Sequence, residues 1–203
     1  WKSCNGAFGP ENIDRVNIIP NGIDLNRCSA RQTFKKMRKL WGCSKSDLVI
    51  GYIGRLDPRK NCIALAKAVK CLGDSAVGVV YGSRTDRSDE VVSAIKCIAG
   101  EQILFYPPVE DIGSVLAALD ALILPSFAEV FSLTLLEAWA AEIPVVATRI
   151  GAVTDLEKKF GPLIVPVETG DTGEKLANAI CIAISNSQEM KLMRKRAVNM
   201  VRK

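Results

Sequence analysis

Short apolar runs alternate with amphipathic stretches through most of the chain. The runs lie at residues 48–53, 76–81, 103–106, 121–124, 144–147 and 163–165. Their lengths predict buried strands, and the periodic stretches between them predict helices. A strand that is apolar along its whole length is buried on both faces, as in a parallel sheet covered by helices. The six runs therefore predict an α/β fold with a six-stranded, doubly wound parallel sheet.

Helices are predicted between these runs and in a pair after the last one. Their expected bounds are 61–72, 86–99, 111–119, 132–141 and 152–160, followed by a pair within 172–201. A basic helix is also predicted at about 29–41, where it would cover the sheet. The residues expected on one side of it are Phe34, Met37, Leu40 and Trp41, with Gly42 at its end.

The residues before this basic helix are predicted to form a linker that leads into the domain. Residues 1–10 show no periodicity, and a short extended piece at 15–19 ends in the turn signal Pro20-Asn21-Gly22. We therefore divide the chain into an entry segment at 1–28 and a single domain at 29–203.

Composition fits one globular domain, because the 203 residues are 48% hydrophobic and 24% charged. The net charge is +5, with basic runs at 31–39 and 191–196. Such runs are usually solvated helix faces, and the alternatives are contact with an anionic membrane surface or with nucleic acid. The runs lack the interleaved aromatic pattern of a nucleic-acid surface, so no nucleic-acid partner is expected. No apolar run reaches about 18 residues, which argues against a membrane span.

Cysteine and histidine content limits the chemistry. The seven cysteines show no C-x-x-C spacing and are interpreted as small buried residues in a reducing compartment, so a cytoplasmic location is expected. Because the chain has no histidine, neither imidazole catalysis nor a transition-metal site is expected. The chain opens with Trp1 and no signal peptide, which suggests a piece of a longer protein.

The stretch after the fourth apolar run carries two candidate acids. Pro125 ends that run, and a loop leads to a helix whose expected N-cap is Ser132. Glu129 lies in the loop, and Glu137 lies on the helix, one turn from Leu133. A carboxylate on an apolar helix face is costly to bury unless it is satisfied. Pairing with Lys or Arg, a position at a solvent edge and ligand binding all remain open.

Strand order is expected to bring a second loop to these acids. In the doubly wound order 3-2-1-4-5-6, the first and fourth strands are neighbours, so the loops after them flank one crevice. The loop after the first strand contains Gly54, which permits close backbone approach, and the cations Arg55 and Lys60 beside a helix start. Two interpretations of this loop remain open: an ordinary basic loop, or a site where the two cations bind phosphate. Phosphate contacts beside carboxylates that accept hydroxyl hydrogen bonds indicate a nucleotide sugar.

Other nucleotide-binding signatures are missing from the sequence. Gly51 and Gly54 lack the G-x-G-x-x-G spacing of dinucleotide-binding loops, and the second apolar run ends in Tyr81-Gly82-Ser83, with no acid positioned for an adenosine ribose. A P-loop is excluded because no G-K-[ST] occurs.

Together these residues resemble the C-terminal, donor-binding domain of the group 1, or family 4, retaining glycosyltransferases, whose GT-B fold has two Rossmann-like lobes. The resemblance covers nearly the whole chain and rests on the order and spacing of short motifs. These are Ile18-Ile19-Pro20-Asn21-Gly22-Ile23-Asp24, Gly54-Arg55-Leu56 with Lys60, Leu124-Pro125-Ser126 with Glu129 and Glu137-Ala138, and Pro144-Val145-Val146-Ala147-Thr148 with Gly151. Glycine is common in the family where this chain has Val130, Ser132 and Glu142.

The resemblance implies a role for each charged candidate. Arg55 and Lys60, beside Gly54, would hold the donor diphosphate, and Glu137 would accept hydrogen bonds from the ribose. Glu129 would face the transferred sugar in a binding rather than a nucleophilic role. Arg55, Lys60 and Glu129 are thus the expected catalytic residues.

The resemblance also implies donor contacts from uncharged residues. Backbone amides are expected from Phe131, Ser132 and Leu133. The base is expected against Gly82, Ser83 and residues 107–109, which include Val109.

The implied activity is retaining transfer of a hexose from a UDP, GDP or ADP sugar to a glycan or lipid-linked acceptor, as in polysaccharide biosynthesis, without a metal or cofactor. In such enzymes an N-terminal Rossmann-like lobe supplies the acceptor site and commonly a histidine. This chain has no histidine and is expected to lack that lobe and to be inactive alone, with peripheral membrane contact as a further expectation. The alternatives are a GT-B-type sugar-nucleotide epimerase, a non-catalytic nucleotide-sugar-binding module and a flavodoxin-like interaction domain.

Overall fold

The sheet has the predicted architecture. The computed structural model of the chain describes residues 21–30 and 32–202. Within them, six parallel strands are ordered β3-β2-β1-β4-β5-β6, which confirms the doubly wound order. The strands are Leu48–Ile53 (β1), Ala76–Tyr81 (β2), Ile103–Tyr106 (β3), Ala121–Leu124 (β4), Val145–Thr148 (β5) and Val165–Val167 (β6). The first four agree with the apolar runs, and β5 begins one residue later than predicted.

The last strand differs from its apolar run and begins at Val165 rather than at residue 163. The reason is that the backbone N–H groups of Leu163 and Ile164 donate to Oε1 of Glu157 instead of to a strand. Pro166 lies in the middle of β6, which is compatible with an edge strand because proline donates no ladder hydrogen bond.

Eight α-helices flank the sheet in the described part of the chain. They are Phe34–Leu40 (α1), Ile63–Leu72 (α2), Ser88–Ala99 (α3), Ile112–Ala117 (α4), Leu133–Ala140 (α5), Ala152–Phe160 (α6), Gly173–Ile184 (α7) and Gln188–Val201 (α8). Apart from α1, each helix lies within two residues of its predicted bounds.

Strand side chains pack into two apolar cores, one on each face of the sheet. Ile50 and Ile123 belong to the core that includes α2, α3 and α7. Val49 and Leu122 belong to the core that includes α1, α4 and α5. Burial on both faces explains why the strands are apolar throughout. None of the helices formed by the described residues has the length and hydrophobicity needed to cross a bilayer.

The basic helix α1 is shorter than predicted and buries a different set of residues. It begins at Phe34 rather than at about residue 29, because the Thr33 hydroxyl caps it by accepting a backbone N–H of the first turn. Met37 and Trp41 are buried as predicted, whereas Phe34 and Leu40 are exposed. A two-turn helix cannot bury all four residues against the sheet.

Arg38 of this helix is buried and ties α1 to the amino edge of the sheet. Its side chain, 3% exposed, donates to Oδ2 of Asp120 at 2.6 Å. It also donates to the carbonyl oxygens of Asp47 at 2.6 Å and Ala118 at 3.1 Å. The same Asp120 oxygen accepts the backbone N–H of Val49 at 2.7 Å. The basic run is therefore not a solvated face at this position, because one of its cations belongs to a buried ion pair.

The entry segment is described from residue 21 onwards. A single 3₁₀ turn, Leu25–Cys28, packs against α4 and α5. A Cβ at Gly113 of α4 would lie 2.5 Å from the carbonyl oxygen of Ser29, so this close approach requires glycine. The division at residue 28 stays a prediction, and the segments predicted at 1–10 and 15–19 lie outside the described residues.

Candidate functional site

The loops after β1 and β4 meet at the carboxyl edge of the sheet, as the strand order predicted. We call residues 54–61 and 125–132 together the loop junction. Within it, the N–H of Phe127 donates to the carbonyl oxygen of Arg59 at 2.8 Å. The side-chain amide of Asn61 donates to the carbonyl oxygen of Pro125 at 3.1 Å. These two bonds hold the loops at a fixed separation.

The turn that presents Arg55 is held against the end of β2. The N–H of Gly54 donates to the carbonyl oxygen of Tyr81 at 3.0 Å. A Cβ at Gly82 would lie 2.2 Å from the Gly54 carbonyl oxygen, so this contact requires glycine. The hydroxyl of buried Tyr52 donates to the carbonyl oxygen of Arg55 at 2.8 Å. Tyr52 is a supporting residue that the sequence pattern shows only as part of a strand.

The cations of the β1–α2 loop differ in their partners. In the part of the chain that the structure describes, the exposed Arg55 guanidinium makes no hydrogen bond or ion pair. Arg59 pairs with Asp57 at 3.0 Å, and hydrogen bonds from Arg59 lower the pKa of the Asp57 carboxyl to about 2. Lys60 pairs with Glu129 at 2.5 Å. Of these three cations, Arg55 is thus the one open to an anionic ligand.

The Lys60–Glu129 ion pair spans the loop junction. The two side chains are 22% and 23% exposed, so the pair is partly removed from water. The pairing with lysine that was left open for the helix acid Glu137 is thus found instead at the loop acid Glu129. The sequence placed both residues near a ligand without indicating that they touch each other.

A third loop, between β5 and α6, supports the acidic loop. The hydroxyl of Thr148 donates to the carbonyl oxygen of Ser126 at 2.7 Å. Gly151 has a φ of +56°, and a Cβ there would lie 2.2 Å from the carbonyl oxygen of Glu129. The motif residues Thr148 and Gly151 therefore help to position Glu129, a role for which the motif was the only signal in the sequence.

Helix α5 begins at the loop junction. Ser132 is its N-cap, as predicted, and its hydroxyl accepts the N–H of Leu135 at 3.3 Å. The predicted donor-binding amides of Phe131, Ser132 and Leu133 lie at this helix start. Val130 and Ser132 do not take positive φ, so their positions do not require the glycine common in the resembled family. Val130 is 86% exposed and forms an apolar rim.

Glu137 lies on α5 near the Leu25–Cys28 turn. Its carboxylate forms no hydrogen bond or ion pair with the residues that the structure describes. Burial raises the pKa of this half-buried carboxyl, and the charge of Arg27 acts in the opposite direction. Leu133, which shares its helix face, is 48% exposed, so the expected apolar face is an edge of the domain rather than core.

The residues predicted to contact a base follow the ends of β2 and β3, but they do not line one common pocket. Gly82 lines an open pocket of about 360 Å³ together with Pro107 and Pro108. Ser83 is exposed. Val109 packs instead against the core that includes α1 and α4, and it is not part of that pocket's wall.

The structure thus brings Lys60 and Glu129 into contact with each other. Arg55 and Glu137 contact neither that pair nor each other through a hydrogen bond or ion pair among the described residues. In that same part of the chain, no three His, Cys, Asp or Glu side chains are grouped so that they could hold a metal ion.

The profile of the family described as "Glycosyl transferases group 1" matches residues 47–186. This range contains the whole described sheet and every predicted site residue. The chain belongs to this family. Its resemblance to the group 1 glycosyltransferases, first seen in short motifs, is confirmed.

Curated group 1 relatives are similar to the chain over most of its length. The putative teichuronic acid biosynthesis glycosyltransferase TuaC of Bacillus subtilis is 28% identical over 165 residues, or 81% of this chain and 40% of TuaC. The D-inositol 3-phosphate glycosyltransferase of Nocardia farcinica is 28% identical over 177 residues, or 80% of this chain and 39% of that protein. The chain therefore spans about 40% of the length of these relatives.

Solved structures support the same family fold. HepE of Anabaena, in complex with UDP and glucose, has a TM-score of 0.79 and 25% identity over 91% of this chain and 52% of HepE. WaaG, a glycosyltransferase involved in lipopolysaccharide biosynthesis, has a TM-score of 0.75 and 20% identity over 94% of this chain and 53% of WaaG. The group 1 chain has the Rossmann-like α/β fold found in GT-B glycosyltransferases.

Proposed function

We propose that the chain is the donor-binding lobe of a retaining glycosyltransferase. It binds a nucleoside diphosphate sugar at the loop junction, and the hexose is transferred to a glycan or lipid-linked acceptor. The observation that carries the proposal is the arrangement of three groups at one sheet edge: Arg55, which has no partner among the described residues, the Lys60–Glu129 pair and the start of α5. Membership of the group 1 family and the UDP bound in the HepE complex support it.

The diphosphate is assigned to the cationic side of the loop junction. The Arg55 guanidinium is exposed and lacks a described partner, so no ion pair has to break before it binds an anion. Its planar donors suit phosphate oxygens. The N-terminus of α5 adds backbone N–H groups and the positive end of a helix dipole.

The ribose is assigned to Glu137. A half-buried carboxylate without a hydrogen-bond partner is unfavourable, as the raised pKa of this group shows. Two neighbouring hydroxyl groups can each donate to one carboxylate oxygen and so satisfy it. In this proposal the nucleoside lies towards the Leu25–Cys28 turn.

Transfer develops positive charge on the anomeric carbon and negative charge on the departing diphosphate. The first-turn amides of α5 and the paired Lys60 side chain are held in place by the fold, so they stabilise this negative charge without rearrangement, and the exposed Arg55 guanidinium adds its positive charge. Glu129 accepts hydrogen bonds from the sugar and orients it. The leaving phosphate assists attack on the same face, which retains the anomeric configuration. A trapped glycosyl adduct on Glu129 would contradict this assignment.

The activity of a whole protein is a further step of the proposal, because this chain spans about 40% of the length of its relatives. An acceptor-binding lobe is required for transfer, and we expect the chain by itself to bind a donor without turnover. A cytoplasmic role in polysaccharide synthesis, with peripheral membrane contact through exposed Lys191, Leu192 and Lys195 of α8, belongs to the same proposal. Sedimentation with anionic lipid vesicles tests that contact.

Calorimetric titration of the chain with UDP, GDP and ADP sugars tests donor binding. We expect one of these donors to bind, and Arg55→Ala and Glu137→Ala each to weaken binding by about 10-fold or more, the usual effect of losing hydrogen bonds to a charged group. Arg59→Ala is the matched control, because Arg59 lies in the same loop but is paired with Asp57. Its effect is expected to stay below about 2-fold.

Absence of binding by all three nucleotide classes would refute the donor-lobe assignment. Binding without any effect of the Arg55 or Glu137 variants would place the ligand elsewhere. Assays with a full-length protein distinguish the remaining classes, since turnover without an acceptor identifies an epimerase and binding without turnover identifies a non-catalytic module.

A further inference from the structure

Lys60 already has an anionic partner before any ligand binds. Its Nζ lies 2.5 Å from Oε2 of Glu129, and the two side chains are 22% and 23% exposed. Arg55, five residues earlier in the same loop, has no such partner among the described residues. An anion that approaches the loop junction therefore finds one open cation and one that is neutralised.

The backbone on both sides of this ion pair is held in place. The Phe127–Arg59 and Asn61–Pro125 hydrogen bonds join the two loops next to it. Gly151 packs directly against the carbonyl of Glu129. The backbone of Glu129 therefore keeps its carboxylate within reach of Lys60 when a ligand enters, and a phosphate that binds Lys60 has to compete with it.

We infer that Glu129 competes with diphosphate for Lys60 and so makes the site discriminate against a free nucleoside diphosphate relative to its sugar-bearing form. This inference rests on the proposed function. With the sugar attached, its hydroxyl groups donate hydrogen bonds to Glu129 and partly satisfy the carboxylate. A free nucleoside diphosphate has no such donors, and its terminal phosphate carries about one more negative charge near neutral pH.

The expected consequence is release of the product after transfer. The donor is bound while its sugar donates hydrogen bonds to Glu129. After transfer, the nucleoside diphosphate has no such hydroxyl groups, and the Glu129 carboxylate repels it. Product release limits turnover in many enzymes, so a charge that weakens product binding favours the reaction cycle.

The substitution Glu129→Gln removes the competing charge while keeping nearly the same shape. Inorganic pyrophosphate, UDP and UDP-glucose are the probes, titrated calorimetrically at fixed salt. We expect pyrophosphate and UDP to bind about 5-fold more tightly to the Gln variant, the effect typical of one partly screened ion pair. UDP-glucose is expected to gain nothing or to bind more weakly, because its sugar loses a charged acceptor.

Two further variants identify the cause. Glu101→Gln makes the same change of charge in the 3₁₀ turn before β3, at the opposite edge of the sheet, and is expected to leave all three affinities unchanged. Lys60→Ala combined with Glu129→Gln is expected to abolish the gain, since the competition acts through Lys60. Glu129→Ala serves as a second test if the Gln variant unfolds in a thermal melt.

Unchanged or weaker binding of UDP and pyrophosphate in the Glu129 variants would overturn the inference, because Glu129 would then only hold Lys60 in position. This outcome leaves the proposed function standing as long as the unmodified chain binds UDP-glucose or another nucleotide sugar. Failure of the unmodified chain to bind any probe or nucleotide sugar would reject both.

Discussion

The environment of the Glu137 carboxyl group disfavours its charge. Burial raises its pKa, and the opposing charge of Arg27 is the smaller effect. The folded chain therefore binds a proton here more readily than the unfolded chain does. The contribution of this group to stability is lost as the pH rises from its ordinary value of 4.5 through the raised pKa. Residues that serve a ligand often lower stability in this way.

Replacing this acid should separate its effects on stability and binding. We expect Glu137→Gln to melt slightly higher than the unmodified chain at pH 7, by about 1 °C, because the buried charge is gone. The difference should shrink as the pH falls below 4.5, because Glu137 then becomes protonated in both the folded and the unfolded chain. Thermal unfolding measured from pH 4 to pH 8 checks this. Destabilisation by glutamine at pH 8 that fades towards pH 4 would instead mean that the carboxylate has a stabilising partner.

At the scale of elements, α5 links the site to the domain core. Its N-terminus is capped by Ser132 at the loop junction, and its other end closes with two backbone bonds. The N–H of Glu142 donates to the carbonyl oxygen of Trp139 at 3.1 Å, and that of Ile143 donates to Ala138 at 2.9 Å. This is a Schellman ending, which normally has glycine in the left-handed position. Glu142 occupies that position with a φ of 62°.

The left-handed conformation at residue 142 accounts for the glycine that the resembled family commonly has there. A left-handed backbone conformation costs a residue with a Cβ about 1–2 kcal/mol. Glycine avoids this cost, but part of the gain in stability is offset because glycine makes the unfolded chain more flexible. We expect Glu142→Gly to stabilise the chain by about 0.5–1 kcal/mol, measured by urea unfolding.

Glu142→Ala is the control for this prediction, because it removes the exposed carboxylate and keeps the Cβ. It should leave the free energy of unfolding nearly unchanged. Equal stabilisation by alanine and glycine would show that the side chain, and not the backbone conformation, is responsible.

At the scale of the whole molecule, the buried charge network and the proposed ligand site lie at opposite edges of the sheet. The Arg38–Asp120 network joins α1 to the starts of β1 and β4. The loop junction follows the ends of the same two strands. At the amino edge, Arg38 and Asp120 satisfy each other, whereas Arg55 and Glu137 near the carboxyl edge lack described partners.

Breaking the amino-edge network should therefore destabilise the fold without changing the site. Arg38→Met leaves Asp120 without its cation. Removing one member of a buried pair costs about 3–5 kcal/mol, and the lower end is expected here because the Asp120 side chain is 33% exposed. We expect the melting temperature to fall by roughly 6–12 °C. Adding Asp120→Asn should recover part of the loss, because the amide keeps an acceptor for Val49 without a buried charge.

Calorimetry below the melting temperature provides the second measurement for these variants. The folded fraction should bind the donor with unchanged affinity. Weaker donor binding in Arg38→Met would show that the two edges are coupled through β1 and β4.

The sequence by itself determined the elements and their arrangement. Strands buried on both faces must be apolar along their length, so the runs at 48–53 and 121–124 were recognisable. The Ser132 cap was equally recognisable, because capping involves residues only three positions apart. The meeting of the two loops followed from the doubly wound order, in which β1 and β4 are neighbours.

Only the tertiary structure decided which charged side chains touch. Lys60 and Glu129 are 69 residues apart in the chain, and Arg38 and Asp120 are 82 apart. Arg59 and Lys60 are adjacent in sequence, yet one pairs within its own loop and the other pairs across the junction. A sequence pattern reports the average burial of a segment, whereas an ion pair depends on a few ångströms between atoms of distant segments, which only the folded chain defines.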